Sequence, residues 1–184
     1  NYKMMKKYLF ISFIISIFLT SNALANCNFQ IIDFGKSKEH LKKKLKYDED
    51  MELMMVPDEF GGELVLAPLF ETCNKESALG TMAEYLFIND KLQRIHLTRA
   101  NMPDRNLMIS ANSKYGKIPL PTGMPMDQWR GNYYWEKGNV IIEFHVVNLE
   151  LGGHMEIINI ESLKNRSVMD KYYEKVGKWL DTQN

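Results

Sequence analysis

Two apolar runs on either side of an Asn-Asp step limit what this chain can fold into. Ala83 to Ile88 and Leu92 to Leu97 flank Asn89-Asp90. Asn and Asp tolerate the positive φ of a tight hairpin turn, so the pattern predicts two antiparallel strands joined directly. Similar runs recur downstream. Asn132–Trp135, Val140–Leu149 and His154–Ile160 are rich in β-branched and aromatic residues, with Lys137-Gly138 and Gly152-Gly153 as the expected turns. Asn28–Phe34 and Glu63–Leu69 read as two further strands. Strands joined by hairpins imply an antiparallel sheet.

Three helical patterns punctuate these strands. Ser37 is placed to cap the first, with Leu41 and Leu45 on its apolar side and Lys38, Lys42, Lys43, Lys44 and Lys46 in water. Asn101 is the expected cap of the second, with Pro103 and Asp104 in its first turn. Leu107, Met108, Ala111 and Tyr115 form its stripe, and Gly116 is its stop. The third is expected from Ser167, with Asp170 in capping-box position. Its stripe runs Val168, Met169, Tyr172, Tyr173, Val176, Trp179 and Leu180. The predicted class is α+β: an antiparallel sheet of hairpins with helices packed on one face. Two degenerate helix-plus-strands units and a C-terminal helix would make it up. The stretch Phe34-Gly35-Lys36-Ser37-Lys38-Glu39-His40-Leu41 resembles the Gly-x-Ser/Thr-x-Glu helix start of small envelope domains. These include the small lipoproteins that assist outer-membrane assembly and the β-lactamase-inhibitor-like domains. The resemblance implies a capped helix and carries no functional residue across.

The first 25 residues have the layout of an export signal. Lys3, Lys6 and Lys7 precede an apolar run from Tyr8 to Leu19, and Ala23-Leu24-Ala25 follows. Charge, apolar core and small-x-small is the order of a cleavable signal peptide. As a helix the run spans roughly 18 Å, short of the ~30 Å hydrocarbon core. The expected start is Met4 or Met5, and cleavage is expected after Ala25. That leaves residues 26–184 as a single globular domain, periplasmic or secreted, with no later segment apolar enough to span a membrane. Cys27 and Cys73 are the only cysteines. In an oxidising compartment they are the expected disulfide, contributing on the order of 4 kcal/mol by chain entropy. The alternative is lipidation of Cys27, which follows Leu24-Ala25-Asn26. Asn26 is larger than the small residue such a site prefers.

Charge narrows the partners. The 23 basic and 23 acidic residues balance, and the three signal lysines have no acidic counterpart. The remaining chain is mildly acidic, which argues against nucleic acid as a partner. No Gly-x-Ser-x-Gly elbow, Cys-x-x-Cys pair or phosphate loop occurs in the chain. No cofactor is expected. With Gly152-Gly153 as a turn, His154 would pair with Leu151. His145 would then lie about 20 Å away along the hairpin, too far to share a metal ion. Met51, Met54 and Met55, with Met124 and Met126, have thioethers suited to Cu(I). The acidic stretch from Asp48 suggests Ca²⁺, but Leu53 stands where an EF-hand loop needs Gly. Metal handling is therefore one alternative function, and a hydrolase with dispersed acidic residues is another.

The most unusual composition is the segment Trp129 to Trp135, Trp-Arg-Gly-Asn-Tyr-Tyr-Trp, after the proline-rich loop 119–125. Trp, Tyr and Arg dominate interface hot spots. Trp129, Arg130, Tyr133, Tyr134 and Trp135 are thus the candidate binding residues, with Trp129 and Arg130 as exposed anchors. The leading expectation is a small exported, non-enzymatic domain with a protein partner in the envelope. The sequence leaves its oligomeric state open.

Overall fold

The computed structural model describes residues 33–44, 54–57, 60–69 and 78–182. Helix α1 (Lys38–Lys44) is followed by strands β1 (Met54–Pro57), β2 (Gly62–Pro68), β3 (Thr81–Ile88) and β4 (Lys91–Ala100). Helix α2 (Asn106–Tyr115) precedes β5 (Gly131–Lys137), β6 (Val140–Asn148) and β7 (His154–Ser162), and α3 (Arg166–Asp181) closes the chain. The strands form one antiparallel sheet in the order β1-β2-β3-β4-β7-β6-β5. The fold is α+β. Helix followed by antiparallel meander occurs twice, and the last strands of the two meanders, β4 and β7, pair at the centre of the sheet. The expected strand Asn28–Phe34 lies mostly outside the described residues, and Asp33-Phe34 form a turn. Cys27 and Cys73 also lie outside them.

The β3–β4 hairpin turns at Asn89-Asp90, with φ of 52° and 56°. Two successive positive φ values match the right-handed twist of the flanking strands. Alternation along the strands then divides the sheet into two faces. The inner face carries Val65, Tyr85, Phe87, Ile95, Leu97, Ile142, Phe144, Ile158 and Ile160, all buried. Leu41 of α1 and Leu107, Met108, Ala111 and Tyr115 of α2 pack into this layer. The backbone N–H of His40 donates to Ser37 Oγ at 3.2 Å, so Ser37 caps α1 as its sequence predicts.

The closing helix takes the other face. Met169 and Tyr172 of α3 bury Leu86 and Ile88, with Phe60, Leu64, Val168 and Val176 around them. The expectation of one covered face therefore holds for α1 and α2 only. Strand β3 explains the division. Tyr85-Leu86-Phe87-Ile88 is apolar in both phases of the alternation, so both sides of this strand need a cover.

Both later helices start differently from expectation. Asn101 does not cap α2. Its side-chain Oδ1 accepts the His154 N–H at 3.2 Å, while its own N–H donates to the His154 carbonyl at 2.8 Å, tying the end of β4 to the start of β7. Helix α2 begins after Arg105, whose backbone is left-handed at φ 52°. Helix α3 begins one residue early, after the 3₁₀ turn Leu163–Asn165, and no side chain caps it at Asn165. Tyr173, Trp179 and Leu180, expected in its stripe, are 41%, 41% and 51% exposed. The tightly packed part of the stripe is Met169 and Tyr172, over Leu86 and Ile88.

Candidate functional site

The aromatic segment splits between core and surface. Trp129 and Trp135 are buried, each 8% exposed. Trp129 stacks on Phe144 with ring centres 6.0 Å apart. Trp135 sits 5.7 Å from Tyr115 and 5.0 Å from the half-buried Tyr133, and its Nε1 donates to the Gly116 carbonyl at 3.1 Å. Trp129 is therefore a core residue and not an exposed anchor. Arg130 is exposed, and Tyr134 is 64% exposed. Alternation along β5 explains Tyr134, whose neighbours Tyr133 and Trp135 share the inner phase.

A buried arginine holds the Trp129 loop inward. Arg105, 1% exposed, donates from Nη2 to the carbonyls of Asp127 (2.6 Å) and Trp129 (3.1 Å). Arg130 Nη1 donates to the same two carbonyls at 2.8 and 2.9 Å, and Arg130 Nε donates to Asn148 Oδ1 at 2.9 Å. Two guanidinium groups therefore share two acceptors. Burial lowers the pKa of Arg105 from its ordinary value, and the adjacent Arg130 charge lowers it further.

Arg105 belongs to an ionic cluster at the N-terminus of α2. Arg99, 1% exposed, makes a bidentate pair with Asp104 and lies 3.9 Å from the carboxylate of Glu156, itself 1% exposed. Glu156 Oε1 accepts the Met108 N–H at 3.0 Å. A carboxylate on β7 thus satisfies one free donor of the first turn, while the local Asp104 Oδ1 accepts the Asn106 N–H at 3.3 Å. Burial raises the Glu156 carboxyl above its ordinary value, against the hydrogen bond from Met108 and the charges of Arg105 and Arg99. His154, at the rim of the cluster, is held below its ordinary value by burial and then by Arg105 and Arg130. The sequence does carry a signal for the buried charges. Glu156 shares its phase with Ile158 and Ile160, and Arg99 shares its phase with Ile95 and Leu97.

The outer face has a different character. Glu84, His96, Asn159, Glu143 and Tyr134 stand side by side across five strands. His96 Nδ1 and Asn159 Oδ1 are 2.9 Å apart, and His145 Nε2 lies 3.3 Å from Glu143. Arg94 pairs with Glu84 and donates to the Tyr173 hydroxyl, anchoring α3 to the sheet. Between α3 and the sheet lies a cleft of ≈ 240 Å³ whose lining includes Glu143, Asn159, Glu161, Arg166, Asp170 and Tyr173. Burial raises the Glu161 carboxyl, Arg94 opposes the rise, and Glu143 and Asp170 add to it. Beyond α3 no described element covers the outer face: Val147 is 39% exposed, and His145 and Ile157 are half-buried.

The β6–β7 register differs from expectation. His154 pairs with Asn148 across a five-residue loop, 149–153, and His145 pairs with Ile157. The two histidines are closer along the hairpin than the predicted register put them. They point to opposite faces, because Asn148 and His145 differ in phase. Among the described residues no group of three or more His, Cys, Asp or Glu is arranged to hold a metal ion. Met51 and most of the acidic stretch from Asp48 lie outside the described residues. No described helix is long and apolar enough to cross a membrane. No protein family matches the chain, and no curated protein or solved structure matches it either.

Proposed function

We propose that this chain is a small exported binding module that recognises a protein partner in the cell envelope without catalysing a reaction. Its contact surface is the outer face of β5 and β6, with Tyr134 and Arg130 as the aromatic and cationic contacts. One observation carries this reading. The outer sheet face is covered by α3 only in part, and the remainder presents Tyr134, Val147 and a row of fixed polar side chains. A rigid sheet holds such side chains in place at little entropic cost, which favours recognition. The signal layout of residues 1–25 supports the compartment.

The test is capture of an envelope partner by the immobilised protein. Arg130→Ala combined with Tyr134→Ala is expected to weaken capture at least about tenfold, as hot-spot truncations do. The unfolding free energy should fall by no more than about 1 kcal/mol, because Arg130 is exposed and Arg105 still donates to the two loop carbonyls. Full capture by the double variant would remove this surface from the function.

The acidic cleft favours a second reading, a hydrolase. It brings Glu143, Glu161 and Asp170 together, with burial raising Glu161 toward the range of a general acid. Glu161→Gln would then abolish turnover of a glycoside or ester substrate while leaving the fold intact. Equal turnover by the Glu161→Gln variant would sink that reading.

A further inference from the structure

The two edges of the sheet are guarded unequally. Among the described residues, strand β1 has four residues, Met54–Pro57, and Pro57 has no N–H to offer a neighbour. Strand β5 has seven residues, and its register with β6 runs unbroken from Gly131↔Val146 to Lys137↔Val140. It contains no proline and no bulge. Short length, proline and bulges are the usual devices that stop an edge from accepting another strand. Of the common devices, β5 keeps only charge, in Glu136 and Lys137. Among the described residues no strand pairs with its other backbone edge, and Asn132, Tyr134 and Glu136 are exposed.

We infer that β5 is a self-pairing edge, on which a second copy of this chain adds its own β5 antiparallel. The sequence of the strand is complementary to itself about Tyr134. With Tyr134 on the dyad, Asn132 stands opposite Glu136 of the second copy, and Tyr133 stands opposite Trp135. The Asn132 amide donates to the Glu136 carboxylate, twice by symmetry. Arg130 lies in the same phase and diagonal to Glu136 of the second copy, within reach of a long side chain. The two exposed Tyr134 rings meet at the axis. Within one chain these groups are unused: the side chains of Asn132, Tyr134 and Glu136 make no hydrogen bond or ion pair among the described residues. The pairing continues the sheet across the axis and joins the two outer faces into one. It stands apart from recognition of an envelope partner, since a chain that captures no such protein can still pair with itself.

Light scattering of the purified protein on a sizing column should report twice the mass of one chain. Glu136→Lys places like charge beside Arg130 and should return the chain to single mass, or weaken pairing at least about tenfold. Residues facing each other across antiparallel strands have Cα atoms ~4.5–5.5 Å apart, inside the range a disulfide spans. Tyr134→Cys should therefore cross-link to itself under mild oxidation, in excess over the unsubstituted protein. Asn132→Cys should not cross-link alone, but should do so when mixed with Glu136→Cys. All these sites are exposed, and if Glu136→Lys lost its fold the cross-linking pattern would still decide. A single-mass chain at every soluble concentration would overturn the inference. So would a dimer that survives Glu136→Lys and leaves Tyr134→Cys uncross-linked, because its contact would lie elsewhere.

Discussion

On the inner face of the sheet, α1 and α2 close over Tyr85, Phe87, Phe144 and Ile158, and even Arg99, Arg105 and Glu156 are buried there. On the outer face, α3 seals Leu86 and Ile88, and past it the described strands present Tyr134 and Val147 to solvent beside the half-buried His145. The inner face holds the fold together. The outer face spends little of its area on packing and keeps side chains available. Substitutions on the two faces should therefore separate stability from recognition.

The largest effect is expected at the centre of the inner face. Phe144→Ala removes a ring that stacks on Trp129 and should cost ~3–5 kcal/mol in chemical denaturation. A loss under ~1 kcal/mol would mean the inner layer is looser than its burial implies.

The ionic cluster comes next. Glu156→Ala strands the Met108 N–H and should cost ~1–3 kcal/mol. The milder Glu156→Gln isolates the pH term. The folded carboxyl holds its proton above the ordinary range, so the fold binds more protons than the unfolded chain there. Native stability should fall, relative to Glu156→Gln, as pH rises from the ordinary carboxyl range through the folded value. Parallel pH–stability curves for the two proteins would show that burial does not perturb Glu156.

Arg94→Ala, on the outer face, loosens the tie between α3 and Glu84. Both partners are only partly buried, so screening keeps the cost to about 1 kcal/mol or less. Hydrogen exchange should quicken in α3 before it does in α2. Smallest of all, Tyr134→Ala should change stability by no more than ~0.5 kcal/mol. A larger cost would place the ring in the packing of the fold and blur the division between the faces.

Much of this division is legible in the sequence, and the exceptions have physical causes. Alternation and turn residues locate the β3–β4 hairpin and the strands β5 to β7, because burial on a sheet has a period of two. The α2 stripe of Leu107, Met108, Ala111 and Tyr115 follows from the helical period in the same way. The start of α2 follows only in part: Asp104 accepts the Asn106 N–H locally at 3.3 Å, but the Met108 N–H goes to Glu156, brought from 48 residues away by the β4–β7 pairing. Burial of Trp129 escapes local reading for a similar reason: Arg105 fixes its carbonyl from across the loop. The β6–β7 register escapes because Gly152 and Gly153, at φ 91° and 85°, end a five-residue loop and are not the turn itself. For the candidate site, composition singles out residues 129–135 but cannot say which side chains face water. Strand phase assigns Tyr134 outward, and only the tertiary fold turns Trp129 in.

The most direct test of the two-face account is hydrogen exchange of the protein alone and with a captured envelope partner. The account predicts slowed exchange confined to β5, β6 and the rim at Arg130, with α1 and α2 unchanged. Slowing confined to α1, α2 and their flanking loops, with β5 and β6 unaltered, would contradict it.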